Sequence, residues 1–413
     1  MRRGTSSEAL PRGFLLYWRA EAVSGLGTYV TVFALQALVV LTLDGTAEDV
    51  GWLNAARWLP YLVFGLVVGA IVDGRGRLPL MVATDLLQAV LLLAIPLLWW
   101  LDGLSLPVLL LIVFAYGTAA VVNLAASMSF LPRLVEARQL QPAHARIDGA
   151  DAVSSSAGPA LGGLLVSAIG APFAVVLDSL TYLFSALTLR RIDLDEPPPR
   201  TGVTVRGLLG DVVEGVRWAY GGSGLRTLAI ATHGWFVGHA IVGVVLAPYA
   251  FLTLDLTAFQ FGLVGAVGGV GAVIGAAVTT RVGRRLGTGR TIILCHVVTT
   301  AAVVAMLLAR GLSTIAAVGT LMAGQWLYGL AMGMSNSHET SYRQLVTPDE
   351  LQARTNTTLR SLNRAVVVVV APIAGILADS WGISAMLLVA TVVFALVAGG
   401  LAATSFRNVR APA

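Results

Sequence analysis

The pattern of apolar and polar positions divides the chain into long apolar segments separated by short polar turns. A helix needs about 20 mostly apolar residues to cross the hydrocarbon core of a bilayer. Twelve segments reach that length, and they lie at roughly 17–43, 49–72, 79–101, 105–130, 149–169, 172–190, 224–251, 258–281, 289–309, 313–337, 355–378 and 382–404. The pattern therefore predicts an all-α integral membrane protein with twelve transmembrane helices.

A polar stretch separates the first six predicted spans from the last six. It contains the three consecutive prolines 197–199 and then an amphipathic segment from Leu208 to Tyr220. Such a segment is expected to lie along the cytoplasmic surface of the membrane. The sequence therefore predicts an N-terminal six-helix bundle at 1–190, a cytoplasmic linker with an amphipathic helix at 191–223, and a C-terminal six-helix bundle at 224–413.

An internal repeat supports this division. A Leu-Val pair with Leu-Gln six residues further on begins at Leu134 and again at Leu345, 211 residues apart. Pro159 recurs as Pro372, 213 residues later, with a glycine three residues further on in each case. Two parallel six-span halves joined by a linker are the layout of one large class of transporters.

The positions of the arginines give the orientation. The chain has 27 basic residues, and all of them are arginine. When the loops are assigned alternately from a cytoplasmic N-terminus, every loop arginine except Arg310 falls on the cytoplasmic side. Short cytoplasmic loops carry the excess of positive charge in membrane proteins. We therefore expect an even number of spans, with both termini in the cytoplasm.

Composition excludes several classes of protein. The chain is 56% hydrophobic and 12% charged, whereas soluble domains have about 45–50% apolar and about 25% charged residues. A soluble enzyme, a disordered chain and a nucleic-acid binder are therefore excluded, and the formal net charge of +5 needs no nucleic acid. No Gly-Lys-Ser/Thr phosphate loop is present, so we expect neither an ATP-driven pump nor any cofactor. A single cysteine, Cys295, allows no intramolecular disulfide.

A glycine-rich loop joins the second and third predicted spans. It runs from Gly69 to Arg77, with Asp73, Gly76 and Arg77 placed so that opposite charges can pair or cap a neighbouring helix. Asp85 lies two helical turns beyond Arg77 and is a potential partner for it. The loop resembles the signature of the major facilitator superfamily, although Gly74 stands where a basic residue usually follows the aspartate. The alternative is an ordinary tight turn between two helices.

A second motif lies in the fifth predicted span. Pro159 should bend the helix, and the glycines around it should let another helix approach its backbone. The motif resembles the signature of the antiporters in the same superfamily, and the alternative is a kinked packing helix without a role in transport. The glycines concerned are Gly158, Gly162 and Gly163.

The whole chain is similar to the enterobactin-exporter-like and macrolide-efflux-like branch of the superfamily. The similarity rests on the segments from Val50 to Asp73, Ala83 to Asp85, Asp178 to Leu187 and Arg343 to Asp349. It implies a proton-driven exporter of small amphipathic molecules such as drugs, antibiotics or siderophores, monomeric, in the inner membrane of a bacterium. A lipid flippase and an uncoupled receptor-like membrane protein are the alternatives.

Ionisable residues inside the spans are candidates for function, because charge at membrane depth is costly. Glu21 is the first candidate to carry the coupling proton, in exchange for a cationic substrate, and the alternatives are a solvated charge or an ion pair. Asp178 and His233 are next in line. Arg57 lies at a depth similar to that of Asp178, so the two could form an ion pair, or Arg57 could bind an anion or act in gating.

Amide and aromatic side chains on three further spans are candidates for the substrate pathway, since they suit a wide and partly apolar ligand. For each of them, helix packing is the alternative. His338-Glu339 at the end of the tenth span is interpreted as a solvated helix end or as a proton relay. The pathway candidates are Gln36, Trp235, Gln325, Trp326 and Asn336, together with Arg57.

Overall fold

The computed structural model describes residues 10–65, 68, 72, 75–194, 205–221 and 224–410. Within these ranges the chain is helical and contains no strand. Thirteen α-helices are described: α1 Arg12–Ala37, α2 Ala47–Phe64, α3 Arg77–Trp100, α4 Leu106–Leu134, α5 Leu140–Ile169, α6 Ala171–Leu189, α7 Val205–Tyr220, α8 Leu225–Pro248, α9 Ala258–Leu286, α10 Thr288–Leu307, α11 Thr314–Val346, α12 Asp349–Trp381 and α13 Ile383–Ala403.

Eleven of the described helices are long and apolar enough to cross a membrane. Helix α2 occupies the place of the second predicted span, and its 18 residues include the charged residues Glu48, Asp49 and Arg57. Most of the residues between the end of α2 and residue 75 lie outside the described ranges. The all-α membrane architecture expected from the hydrophobic pattern is therefore confirmed, with six long helices before the linker helix α7 and six after it.

Helices α5 and α12 begin six or more residues earlier than the apolar pattern predicts. Helix α5 starts at Leu140 and α12 at Asp349, whereas the predicted spans began at 149 and 355. The added turns are polar, so hydropathy alone does not detect them. Asp349 and Glu350 occupy the first turn of α12, where carboxylates are favoured by the helix dipole.

The two halves repeat the same turn after their first helix. Helix α1 ends in the π-helical turn Leu38–Thr42, and α8 ends in the π-helical turn Tyr249–Thr253. Asp44 and Asp255 then take left-handed conformations, with φ of 50° and 51°. Each turn leads into a capping box at the start of the next helix, because the first backbone N–H groups of a helix lack partners within it.

Helix α7 packs against the first half of α12 and against α8. Gly215 faces the backbone of Arg354, and Ala219 is fully buried. Glu214 forms an ion pair with Arg354. The linker was predicted to lie along the membrane surface. In the structure one side of α7 packs against the C-terminal half. Val213 and Val216, which also belong to α7, remain exposed.

Candidate transport site

The halves contact each other mainly through two helix pairs, α2 with α12 and α5 with α9. We call the end of the bundle where α1 begins the terminal face, and the opposite end the far face. Glycines at the far-face ends of these helices allow backbone contact. A Cβ atom added to Gly51 would lie 2.5 Å from the carbonyl oxygen of Ala371, and one added to Gly163 would lie 2.5 Å from that of Ala258.

Each helix pair also includes a side chain that caps a helix of the other half. Asp379 at the end of α12 accepts hydrogen bonds from the backbone N–H groups of Ala47 and Glu48, at 3.2 and 3.1 Å. Ser167 in α5 accepts one from the N–H of Phe259, at 3.0 Å. These N–H groups have no partner inside their own helices. Each half therefore completes the N-terminus of a helix in the other.

The glycines of the second motif lie where other helices approach α5. A Cβ atom at Gly158 would clash with Tyr29 of α1, and one at Gly162 would lie 3.2 Å from Cβ of Phe33. The carbonyl of Pro159 faces Gly262 of α9. The motif thus packs α5 against α1 of its own half and against α9 of the other half.

The first motif is described only in part. Gly76 occupies the N-cap position of α3, and Nε of the buried Arg77 donates to Oγ of Ser129 at 3.2 Å. Gly69 and Asp73 lie outside the described residues. The expected pairing or helix capping by Asp73 therefore remains a prediction.

Glu21 and Asp85 lie in a polar cluster between α1, α3 and α4. Oγ of Ser127 lies 3.5 Å from Oε1 of Glu21, the outer limit of a hydrogen bond, and 2.7 Å from the hydroxyl of Tyr17. The amide of Asn123 donates to Oδ1 of Asp85 at 2.7 Å. Glu21 is partly buried and Asp85 is buried. The partner that the structure gives to Asp85 is therefore an amide.

Asp178 lies on α6 and is fully buried. The hydroxyl of Thr181 donates to its Oδ1 at 3.0 Å, and Gly27 of α1 leaves room for both side chains. Both Arg57 and Asp178 are within the described ranges, and the structure contains no ion pair between them. The possible pair is therefore not formed. The guanidinium carbon of Arg57 lies 5.4 Å from the centroid of the Trp58 ring.

Several buried oxygens in this half have no hydrogen-bond partner among the described residues. Two of them are carboxylate oxygens, one on each of two aspartates. The other two are an amide oxygen and a hydroxyl oxygen. An oxygen buried without a donor costs free energy. The atoms are Asp85 Oδ2, Asp178 Oδ2, Gln88 Oε1 and Thr31 Oγ1.

The C-terminal half has histidines and aromatic rings at its centre. His233 on α8 contacts the hydroxyl of Tyr220 through Nε2, and its Nδ1 lies 2.6 Å from Oδ1 of Asn363. With Asn363 Oδ1 as acceptor, Nδ1 carries the proton and Nε2 accepts from Tyr220. His239 contacts the hydroxyl of Tyr328 at 2.8 Å. The Trp235 ring stacks on His239, with centroids 4.7 Å apart.

Glu339 is held between two helices and is not a freely solvated helix end. Thr232 of α8 donates to its Oε2 at 3.0 Å, and Ser335 donates to its Oε1 at 2.6 Å. The reason is that α11 continues to Val346, beyond the predicted span end at 337. His338 lies 3.3 Å from the carbonyl oxygen of Thr279.

The other pathway candidates differ in their surroundings. Trp326 contributes its backbone carbonyl to close packing against Gly271 of α9, and Oε1 of Gln325 lies near Gly268. Gln36 is partly buried and Asn336 is exposed. The structure does not bring these four residues into one cluster with Trp235.

Sequence reasoning missed the caps and the hydroxyl chain. Asp379 and Ser167 are 212 residues apart, so the internal repeat could have related them. The hydroxyls of Tyr116 and Tyr182 lie 2.8 Å apart, and that of Tyr182 lies 3.0 Å from Oγ1 of Thr28. No sequence signal identifies this chain, since it joins three helices that are distant in sequence.

Comparison with known proteins agrees with this architecture. A family model described as Major Facilitator Superfamily matches residues 18–364. The multidrug efflux pump Tap of Mycolicibacterium fortuitum is 28% identical over 222 residues, which cover 52% of this chain and 54% of that protein. Macrolide efflux protein A of Streptococcus pyogenes is 23% identical over 198 residues, 47% of each chain. The chain thus spans about half the length of the curated relatives it matches.

Solved structures of transporters share the fold over nearly the whole chain. The nucleoside transporter NupG superposes with a TM-score of 0.75 at 12% identity, covering 95% of this chain and 98% of that one. A bacterial homologue of the iron transporter ferroportin, solved in an inward-facing state, gives 0.75 at 15% identity, covering 94% and 98%. At these identities the similarity concerns the fold alone.

Proposed function

The chain belongs to the major facilitator superfamily, and from that membership we propose that it is a secondary active exporter of a small amphipathic molecule, driven by proton entry. It acts as a transporter and not as an enzyme. Similarity to proteins named multidrug and macrolide efflux pumps supports export. The observation that carries proton coupling is the set of buried carboxyl groups in the N-terminal half, which have oxygens without donors.

Alternating access would proceed by rocking of the two halves, 1–190 and 224–413, against each other. The backbone contacts at Gly51 and Gly163 and the cap at Asp379 support a far face that is closed in this structure. Towards the terminal face, a Cβ atom at Gly149 of α5 would meet nothing within 4 Å. The far face is then closed and the terminal face is open. If the arginine-rich terminal face lies in the cytoplasm, the protein is in an inward-facing state, in the inner membrane of a bacterium with both termini in the cytoplasm.

Proton coupling would use Glu21 as the first acceptor. Its carboxylate lies between helices of the N-terminal half, on the same helix as Thr28, which begins the hydroxyl chain of Tyr182 and Tyr116. A proton on Asp178 or Asp85 would remove the cost of a buried charge with an unpartnered oxygen. Release of the proton on the cytoplasmic side would then leave an uncompensated negative charge, which favours the return to the other state. His233 is the alternative acceptor in the C-terminal half.

The remaining candidates would have separate roles. The first motif, with Gly69, Asp73, Gly76 and Arg77, would lock the terminal face when it closes, and Gly158, Pro159, Gly162 and Gly163 would set the distance between α5 and its neighbours. The substrate would bind as a single molecule between the halves of a monomer. Its pathway would be lined by Gln36, Arg57, Trp235, Gln325, Trp326 and Asn336.

Export is tested first with a panel of amphipathic antibiotics that includes cationic, neutral and anionic members. A host that lacks its own efflux pumps should become resistant to some of them when it makes the protein. Those compounds are then supplied to inverted membrane vesicles with an imposed pH gradient. The wild type should accumulate them, and a lipid flippase would instead move labelled phospholipid without accumulating any antibiotic.

Coupling is tested in the same vesicles with Glu21→Gln. We expect gradient-driven accumulation to be lost, while exchange of labelled for unlabelled compound without a gradient is retained. Glu136→Gln is the matched control, because Glu136 is an exposed acid that pairs with Arg138 two residues away. Undiminished accumulation in Glu21→Gln would transfer the coupling role to Asp178 or His233.

A further inference from the structure

Three arginines in the middle of the molecule have no carboxylate partner among the described residues. Arg57 lies on α2, and Arg360 and Arg364 lie on α12. Arg57 and Arg364 are partly buried, and Arg360 is exposed. The described ion pairs involve other arginines, Arg138 with Glu136 and Arg354 with Glu214. Charged side chains inside a membrane protein normally pair with one another or with another polar group, and an unpaired one indicates a function.

The arginines of the two halves meet at one aromatic side chain. The guanidinium carbon of Arg57 lies 5.4 Å from the centroid of the Trp58 ring, and that of Arg364 lies 5.9 Å from the same centroid. Arg364 also lies 4.2 Å from the centroid of the Tyr61 ring. Contact with the face of an aromatic ring stabilises a guanidinium group, but it leaves the N–H donors of that group available.

The depth of Arg57 matches a transport site. At 1.5 Å per residue, Arg57 lies about 15 Å along α2 from its far-face end, and Arg364 lies about 25 Å along α12 from its own far-face end. The hydrocarbon core is about 30 Å thick, so Arg57 lies near its middle and Arg364 lies about 10 Å closer to the terminal face. Substrate sites of such transporters lie near the bilayer midplane, at the interface of the two repeats.

We propose that Arg57 and Arg364, with the rings of Trp58 and Tyr61, bind the negatively charged group of the transported molecule. A guanidinium group binds a carboxylate or phosphate through parallel hydrogen bonds, and the aromatic rings suit the apolar body beside it. The substrate class is then an amphipathic anion. Since the two arginines belong to different halves, the bound anion also joins α2 to α12.

This assignment rests on the proposed transport function and narrows its substrate. It differs from the expectation that Glu21 exchanges its proton for a cationic substrate. Glu21 lies on α1, about 14 Å along the helix from its terminal-face end, and takes no part in the arginine cluster. In this assignment Glu21 holds the proton and the arginines hold the substrate.

The test measures binding to the purified full-length protein in detergent, without a gradient and without transport. Three fluorescent probes share one apolar ring system and differ in charge: dansylglycine is an anion, dansylglycinamide is neutral, and dansyl-ethylenediamine is a cation. We expect the anion to bind at least about tenfold more tightly than the amide, since hydrogen bonds to charged groups contribute about 1.5–3 kcal/mol. Arg57→Gln and Arg364→Gln should each remove this preference, and Arg364→Lys should retain part of it.

The matched control is Arg310→Gln, because Arg310 lies on a far-face turn outside the cluster and contacts Ser384. It should bind the probes as the wild type does. Equal binding of the three probes by the wild type would overturn the proposal. Undiminished anion binding by both glutamine variants, with unchanged elution volume and helical content, would overturn it as well.

The source of the anion is tested by displacement of dansylglycine. Displacement by phosphatidylglycerol, but not by phosphatidylcholine with the same acyl chains, would identify a lipid headgroup as the ligand. Displacement only by water-soluble carboxylates would identify a soluble substrate. If no antibiotic is exported but the anion still binds with the expected preference, the proposed export fails and the anion site stands.

Discussion

The two halves of the molecule have the same backbone at their contacts and different chemistry in their interiors. In each half a π-helical turn and a left-handed aspartate precede a capped helix. In the N-terminal half the interior holds Glu21, Asp85 and Asp178 among hydroxyl and amide groups. In the C-terminal half it holds His239, which is stacked on the rings of Trp235 and Tyr328.

The contacts between the halves are alike and the interiors differ because the two regions have different tasks. Both halves close the same far face, so both need helices that approach to backbone contact and an exposed helix end that receives a cap. The interiors face no such common requirement. They can therefore diverge, and we propose that the N-terminal half binds the proton while its boundary with the C-terminal half binds the substrate.

The largest expected effect is on coupling, and Asp178→Asn tests whether the proton that Glu21 accepts first must also reach Asp178. Asparagine can still accept the hydrogen bond of Thr181, but it cannot take up a proton. We expect accumulation in inverted vesicles to become independent of the pH gradient, while the amount of folded protein is unchanged. Asp102→Asn is the control, since Asp102 lies in a turn with φ of 54° that asparagine tolerates. Retained gradient dependence would remove Asp178 from the coupling mechanism.

The next effect concerns closure of the far face, through Gly163→Val. Its side chain would enter the contact with Ala258, and overpacking of this kind costs about 1–3 kcal/mol, or a shift of roughly 5- to 150-fold in the equilibrium between the two states. We expect a corresponding loss of transport and greater labelling of cysteines introduced at the far face. Gly149→Val, on the same helix but in open space, should behave as the wild type. Equal rates in both variants would contradict the role of this contact.

A smaller effect on the closure of the far face is expected from removing the capping side chains, Asp379 and Ser167. Loss of a capping side chain costs about 0.5–2 kcal/mol, and the charged cap at Asp379 makes two hydrogen bonds where Ser167 makes one. We therefore expect Asp379→Ala to increase far-face labelling more than Ser167→Ala does. Ser380→Ala is the control, because its hydroxyl bonds within its own helix. An equal response to both cap variants would mean that charge adds nothing to the cap.

The smallest effect is expected from the ion pair between the linker helix and α12. Glu214 and Arg354 are both partly exposed, with side-chain exposures of 50% and 40%, and exposed pairs contribute about 0.2–1 kcal/mol. Glu214→Gln should therefore change the transport rate by about fivefold at most. A larger loss would show that the linker helix has a role in the transport cycle itself.

Fold and site differ in how far the sequence predicts them. Spans were predictable because bilayer crossing requires a run of apolar residues, and the repeat at Leu134 and Leu345 located the two halves. The ends of α5 and α12 were not predictable from hydropathy, since their first turns are polar. Of the two interpretations of Arg57, the pair with Asp178 is not formed in the structure, although the two residues lie at similar depths. The sequence gives the depth of a residue in the membrane. It does not give the rotation of the helix, which decides the neighbouring helix that the side chain faces.

The sequence by itself therefore determined the twelve apolar segments, the repeat, the family and the positions of the charges along each helix. These features depend on composition and spacing within one helix, which the 1.5 Å rise and the 3.6-residue turn convert directly into height and direction. Only the tertiary structure decided that Asp379 caps α2, that Arg364 of one half lies over Tyr61 of the other, and that Glu339 is held by Thr232. Each of these contacts joins residues more than a hundred positions apart, and they form only when helix packing has set the rotation of both partners.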